Sequence, residues 1–201
     1  MDLLFGFVVA GAPLLIVEVL SRNKRLRPEL GRKVSHVGSA IAVLTLPFFL
    51  TLRQIAVIAL AYTLIMLFTR SIGIWKSLYA VSRSSWGEVL FPAGVLAASF
   101  FATSVDNFMC AVAIMGFADT AAALVGMKFG KKRIAGTQKT FAGSLAFALV
   151  STLILFTIQP ASLPFASVVI GAATLDELFS PFGTDNLTIP IVVVLLLNIG
   201  S

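Results

Sequence analysis

Apolar runs of about 16 to 21 residues recur along the chain, with a shorter one at 187–199, lengths on the order of those that cross a hydrocarbon layer as a helix. Inside such a layer every backbone N–H and C=O must find its partner within the segment, so runs of this length fold as helices. Composition agrees. Of 201 residues, 58% are hydrophobic and only 12% charged, against about 45–50% and about 25% in a soluble domain. The chain therefore reads as an all-α, polytopic integral membrane protein, a single transmembrane domain over 1–201 with about eight transmembrane helices. The spans fall at roughly 2–20, 34–50, 54–69, 88–104, 107–127, 142–158, 165–180 and 187–199, with Pro28 expected to break any helix across 21–33.

The cations then orient the bundle. The loops after spans one, three and five hold 6, 3 and 5 Lys/Arg, and Arg53 completes the total of 15. By the positive-inside rule those three loops face the cytoplasm, and both termini lie outside. The net charge of +6 speaks of topology and anionic headgroups, not of nucleic acid. Loop 70–87 carries Trp75, Tyr79 and Trp86 beside Arg70, Lys76 and Arg83, a composition suited to headgroup depth. The one cysteine, Cys110, excludes a disulfide framework. Leu3–Leu20 has Asp2 where a signal peptide needs a basic start, so it reads as a span.

Residues 116–144 concentrate the chemistry. Asp119 lies within span five, and a carboxylate in a membrane helix costs about 2.5–3.5 kcal/mol on insertion scales, which calls for a partner or a task. After it come Gly126, Lys128, Gly130, Lys131, Lys132, Arg133, Gly136, Lys139, Thr140, Gly143 and Ser144. Lysines among glycines, followed by a Gly-Ser helix start, offer ammonium groups and free N–H donors to a polyphosphate. Asp119 suits a divalent metal, since Mg²⁺ takes one or two carboxylates plus phosphate oxygens and waters. The spacing is not that of a Walker A loop: Gly126 and Gly130 stand one residue too close, and Lys132 occupies the Ser/Thr position.

Other polar residues fall at the same depth on the same face. His36 follows Arg32 and Lys33 at the start of span two, with 32 and 36 on one helix face as a phosphate clamp would need. Asp176 and Glu177 lie near the end of span seven, with Asp185 and Asn186 in the turn after it. Glu177 suits a general base for a hydroxyl, or a second metal carboxylate. Glu18 and Glu88 sit at helix ends where capping or solvation suffices. Acids and cations converging on one face point to a charged cytoplasmic ligand. An anion transporter would use similar groups, but it predicts an inverted repeat that the sequence lacks.

Together the blocks Arg32-Lys33-x-x-His36, Asp119-x-x-Ala122-x-x-x-Gly126-x-x-x-Gly130-Lys131, Lys139-Thr140-x-x-Gly143-Ser144 and Glu177…Gly183-x-Asp185-Asn186-x-x-x-Pro190 resemble the CTP-dependent polyprenol kinase family. That family includes phytol, farnesol and dolichol kinases, and the phytol kinase branch is the most similar. The resemblance implies transfer of the γ-phosphoryl of CTP to an isoprenoid alcohol at the cytoplasmic face of the inner or an equivalent membrane. It implies Mg²⁺ at Asp119 and Glu177, and catalytic roles for Asp119, Glu177, His36 and Lys139. The nucleotide would meet Arg32, Lys33, Gly126, Lys128, Gly130, Lys131, Lys132, Lys139, Thr140, Gly143, Ser144, Asp185 and Asn186. Ala118 and Ala142 depart from the Gly and Glu common at those family positions, and the second departure leaves Glu177 as the stronger acidic candidate. The central block also resembles the membrane cytidylyltransferases of the CDP-diacylglycerol synthase type. Those finish with Lys-Asp and Pro-Gly-His-Gly-Gly elements, whereas no Lys or His follows Lys139 here. Oligomeric state is not legible in the residues.

Overall fold

A computed structural model describes residues 2–22, 28–73, 85–137 and 139–200. Among them run eight helices: α1 Asp2–Arg22, α2 Pro28–Thr45, α3 Leu52–Ile72, α4 Gly87–Phe101, α5 Val105–Phe129, α6 Phe141–Ile158, α7 Leu163–Phe179 and α8 Asp185–Gly200. Four of these (α1, α3, α5, α6) are long and apolar enough to cross a membrane, and the protein is an integral membrane protein. Much of the headgroup loop read from the sequence, with Trp75, Lys76, Tyr79 and Arg83, lies outside the described residues, as do Lys24, Arg25 and Arg27.

Two boundaries differ from the sequence reading. Pro28 opens α2 instead of merely interrupting a loop: proline's missing N–H costs nothing in the first turn of a helix, and its fixed φ suits that position. Asp185 and Asn186 form the first turn of α8, where the positive end of the helix dipole favours a carboxylate. The remaining starts follow ordinary capping chemistry. Thr51 and Gln54 close a reciprocal box at α3, Ser104 Oγ accepts the Asn107 N–H at α5, and Thr140 Oγ1 accepts the Gly143 N–H at α6.

Helix α5 is the axis of the bundle. In its apolar stretch 61% of residues are buried, against 28%, 28% and 22% in α1, α3 and α6, whose outer leucines and phenylalanines face outward as lipid-exposed helices require. Small residues let the neighbours approach. A Cβ on Gly116 would lie 2.3 Å from the Cβ of Ala40 in α2, and one on Gly94 of α4 would lie 2.0 Å from the Asn186 carbonyl oxygen in α8. At the end of the bundle remote from the loops of interest, Asn107 is fully buried. Its Nδ2 donates to Asn198 Oδ1 at 2.9 Å and to Thr103 Oγ1 at 3.2 Å, while Asn198 Nδ2 donates to the Phe101 carbonyl at 2.8 Å. That cluster ties α4, α5 and α8 together.

Candidate active site

Asp119 owes its position to a local widening of α5. Residues Ile114–Ala118 form a π-turn, in which the regular i to i−4 pairing slips by one residue and the helix bulges. The Met115 carbonyl is thereby turned toward α2, where His36 Nε2–H donates to it at 3.1 Å. The same nitrogen lies 3.9 Å from Asp119 Oδ2, and the ring packs edge-on against Phe91 at 5.0 Å. His36 therefore couples α2 to the bulge that presents the carboxylate. Lys33 and Arg32 stand one helical turn earlier, and with Lys139 they make the electrostatic surroundings of Asp119 cationic.

The basic loop folds back on itself. Gly136 takes φ +76° at its tip, Arg133 bridges Thr140 in antiparallel fashion, and Ile134 N–H donates to the Lys139 carbonyl at 3.0 Å. This fold returns Lys139 to the bundle, where its Nζ meets Glu177 Oε1 at 2.5 Å and Asp185 Oδ2 at 3.1 Å. Ser144 Oγ–H donates to the other Glu177 oxygen at 3.3 Å. Glu177 is only 1% exposed, and a carboxylate that deep persists as an ion only with a cation and further donors beside it. Burial alone would pull the Lys139 ammonium pKa down. The carboxylates of Asp185, Asp119 and Glu177 outweigh that, and the net displacement is upward.

Around these groups opens a cleft lined by Arg32, Lys33, Asp119, Gly126, Gly130, Lys139, Thr140, Gly143, Ser144, Glu177, Asp185 and Asn186, all singled out from the sequence. Its volume open to the centre of a water molecule is about 610 Å³. Arg133, Arg70 and Glu88 also line it: the sequence reading named Arg133 only as part of the basic loop, gave Arg70 to the headgroup segment and set Glu88 aside as a helix-end acid. Arg70 Nη1 donates to the Ser85 carbonyl at 2.8 Å, pairs with Glu88 and stacks over Trp86 with 4.0 Å to the ring centroid. The available signal was a cation ending span three opposite an acid opening span four. Lys128, Lys131 and Lys132 do not line the cleft: all three are exposed, and Lys128 sits over the Phe129 ring at 5.1 Å.

The glycines of the basic segment are used differently from a phosphate cradle of free amides. Gly143 N–H is held by Thr140 Oγ1 at 3.1 Å and Ser144 N–H by the Thr140 carbonyl at 2.9 Å, so neither amide is free. A Cβ on Gly126 would meet Thr140 Oγ1 at 2.9 Å, one on Gly130 the same oxygen at 2.6 Å, and one on Gly143 the Ala122 carbonyl at 2.8 Å. These glycines let α5 and α6 close on Thr140. Asp176 is likewise structural. Thr188 Oγ1–H donates to it at 2.6 Å and Ser180 Oγ–H at 3.4 Å, which fastens α7 to α8.

A second, narrower cavity begins where the cleft ends, and it is about 90 Å³ on the same measure. Arg32, Lys33, Ser85, Glu88, Asp119 and Asn186 line both. Below His36 its wall turns apolar between α1, α2, α3 and α4, down to Leu46 and Ile55. At the junction the Asn186 side chain gives its N–H to the Gly183 carbonyl at 3.1 Å, while its buried Oδ1 has no hydrogen-bond partner among the described residues.

The fold and the site thus define a membrane-embedded helical protein with a cation-rich cleft let into one end of its bundle and an apolar pocket leading from it. Over 205 aligned positions the chain is 30% identical to the phytol kinase of Synechocystis sp., an alignment covering 95% of this chain and 88% of that protein. The chain belongs to the phytol kinase family. No protein-family profile matches it, and no solved structure does.

Proposed function

We propose that this protein is a membrane lipid kinase that moves the γ-phosphoryl of CTP onto the hydroxyl of an isoprenoid alcohol. In this reading all eight helices span the membrane, both termini lie outside, and the cleft opens to the cytoplasm. The observation that carries the reading is the meeting of two unlike cavities at Asp119: one lined by Arg32, Lys33, Lys139 and Arg133, the other apolar below His36. A kinase acting on a membrane-dissolved alcohol needs that junction, with a polyphosphate on one side and a hydrocarbon tail on the other. Membership of the phytol kinase family supports it, and the choice of CTP rests on the resemblance of the sequence blocks.

The residues divide the work as follows. Arg32, Lys33, Arg133 and Lys139 hold the triphosphate and balance the charge that gathers on the transferring group. Glu177, Asp185 and Ser144 act through Lys139, fixing its ammonium at the cleft wall. His36 holds the π-turn and with it the direction of Asp119. Asp119 suits Mg²⁺: among the described residues no three acidic, His or Cys side chains gather as a metal cage, and one carboxylate with phosphate oxygens and waters is how Mg²⁺ is commonly held beside a nucleotide. Bound there, the ion would neutralise phosphate charge. Asn186 Oδ1 accepts the O–H of the alcohol and orients it. The alcohol oxygen forms a bond to the γ-phosphorus, the bond from that phosphorus to the bridging oxygen of CDP breaks, and the hydroxyl proton leaves to water in the cleft once the new bond has formed.

The test is product identity. Purified protein with Mg²⁺, phytol and CTP labelled separately at the α and γ phosphorus should yield CDP and a γ-labelled prenyl monophosphate. An α-labelled CDP-lipid with pyrophosphate would overturn this reading in favour of a cytidylyltransferase, and ATP outpacing CTP would overturn the donor assignment.

A further inference from the structure

The proposed function requires a place for the tail of the alcohol, and the apolar pocket has a measurable depth. From His36, beside Asp119, its lining runs down α2 to Leu46 in the 3-10 turn Leu46–Phe48 that follows, and on α3, which runs the opposite way, from Met66 to Ile55. These stretches advance ten and eleven residues, which at about 1.5 Å per residue gives a depth of roughly 15–16 Å. Spread along that depth, about 90 Å³ open to the centre of a water molecule is one hydrocarbon chain wide. A two-tailed lipid does not fit.

The bottom is closed. Leu46 is 1% exposed, Ile55 0% and Ile58 4%. Gly6 of α1 presses against them, since a Cβ there would lie 2.9 Å from the Cδ1 of Ile58 and 3.7 Å from a Leu46 methyl. Along the wall, Tyr62 spends its hydroxyl on the Phe7 carbonyl at 2.7 Å and so presents no free donor. The only polar groups among its lining residues below His36 are that satisfied hydroxyl and Ser39, near the mouth.

We propose that Leu46, Ile55 and Ile58 form a ruler that limits the length of the acceptor. The inference rests on the kinase reading above and adds a specificity determinant to it. With C–C bonds of about 1.5 Å, an extended isoprene unit of four main-chain bonds spans roughly 4–5 Å. The pocket therefore holds about three to four units when the hydroxyl lies beside Asp119 and Asn186. Farnesol and phytol satisfy that limit. A polyprenol of many units meets the floor before its hydroxyl reaches the junction.

Two measurements test the ruler. In the first, wild-type protein and the variants Ile55→Ala and Leu46→Ala phosphorylate geraniol, farnesol, phytol and a long polyprenol. Wild type should prefer farnesol and phytol, and the variants should raise the ratio of longer to shorter acceptors by about tenfold or more. Unchanged ratios in variants that still phosphorylate farnesol would overturn the ruler while leaving the kinase intact. In the second, farnesol bearing a photoreactive diazirine at its tail end is crosslinked to wild-type protein and the adducts are mapped by mass spectrometry. Adducts around Leu46, just past the end of α2, and on α3 around Ile55 support the ruler whether or not turnover is seen, and adducts confined to outward-facing residues of α1 or α6 overturn it. Absence of phosphorylation of every alcohol, with adducts at the floor, would sink the kinase reading and keep the pocket.

Discussion

Replacing Lys139 with methionine removes a cation that the structure gives to two buried carboxylates at once. Glu177 is 1% exposed and Asp185 7%, with Lys139 Nζ at 2.5 Å and 3.1 Å from them. Stripping the partner from a buried ion pair costs about 3–5 kcal/mol, because the remaining charge has lost both water and its counterion. For a chain of this size each kcal/mol moves the melting temperature by about 2–4 °C, so Lys139→Met should melt roughly 6–20 °C lower. The triple variant Lys139→Met/Glu177→Gln/Asp185→Asn removes the stranded charges along with the cation and should recover most of that loss. It should not recover phosphoryl transfer, because the ammonium that meets the phosphates is still missing. Thermal unfolding in detergent, read beside a transfer assay, separates the two effects. A Lys139→Met protein melting within about 2 °C of wild type would refute the buried-pair argument. Full activity in the triple variant would refute the catalytic one.

Four further outcomes follow from the same geometry. Asp119→Asn should lower transfer by about a hundredfold or more while melting near wild type, since it removes charge and not shape; paired activity and melting measurements check both halves. Gly116→Val drives a side chain into Ala40 at a close α2–α5 approach and should destabilise by about 1–3 kcal/mol or more, visible as a lowered melting temperature. Raising pH tests the ammonium. Its folded pKa lies above the unfolded value, so its stabilisation is fully present below about pH 10.4 and is lost only as pH rises through the folded value. The gap in melting temperature between wild type and Lys139→Met should therefore not narrow between neutral pH and about pH 9, and should narrow only in stronger alkali. Among the loop cations, Arg133→Ala should raise the KM for the nucleotide several-fold, whereas Lys131→Ala and Lys132→Ala, which lie off the cleft, should leave it within about twofold.

The sequence carried the membrane class, the helix order and most of the cleft, because these depend on hydropathy, charge placement and short motifs. Asp119 and Glu177 were each legible from the cost of ionisable groups in apolar surroundings, Lys139 from its place in the basic glycine-lysine loop, and the structure joins Lys139 to Glu177 directly. The roles of Gly126, Gly130 and Gly143 were not legible in the same way. A glycine that admits a phosphate and a glycine that admits a neighbouring helix look identical in one dimension, and here packing on Thr140 accounts for all three. The π-turn before Asp119 left only one trace, Gly116, because a bulge depends on what the helix packs against. Arg70, Glu88 and Arg133 were not assigned to the site because each looks like an ordinary helix-end or loop charge until the helices are brought together. The apolar pocket depends on four helices at once, and no local pattern announces it.

The central claim is that nucleotide and lipid alcohol meet at Asp119, and a molecule joining the two tests it most directly. A phytyl chain linked through a polyphosphate to cytidine should occupy the cleft and the pocket together. Steady-state inhibition by that compound should be competitive against CTP and also competitive against phytol, and much weaker when the phytyl chain is cut to a methyl group. Competition with only one of the two substrates, or potency indifferent to the chain, would place donor and acceptor apart and contradict the account.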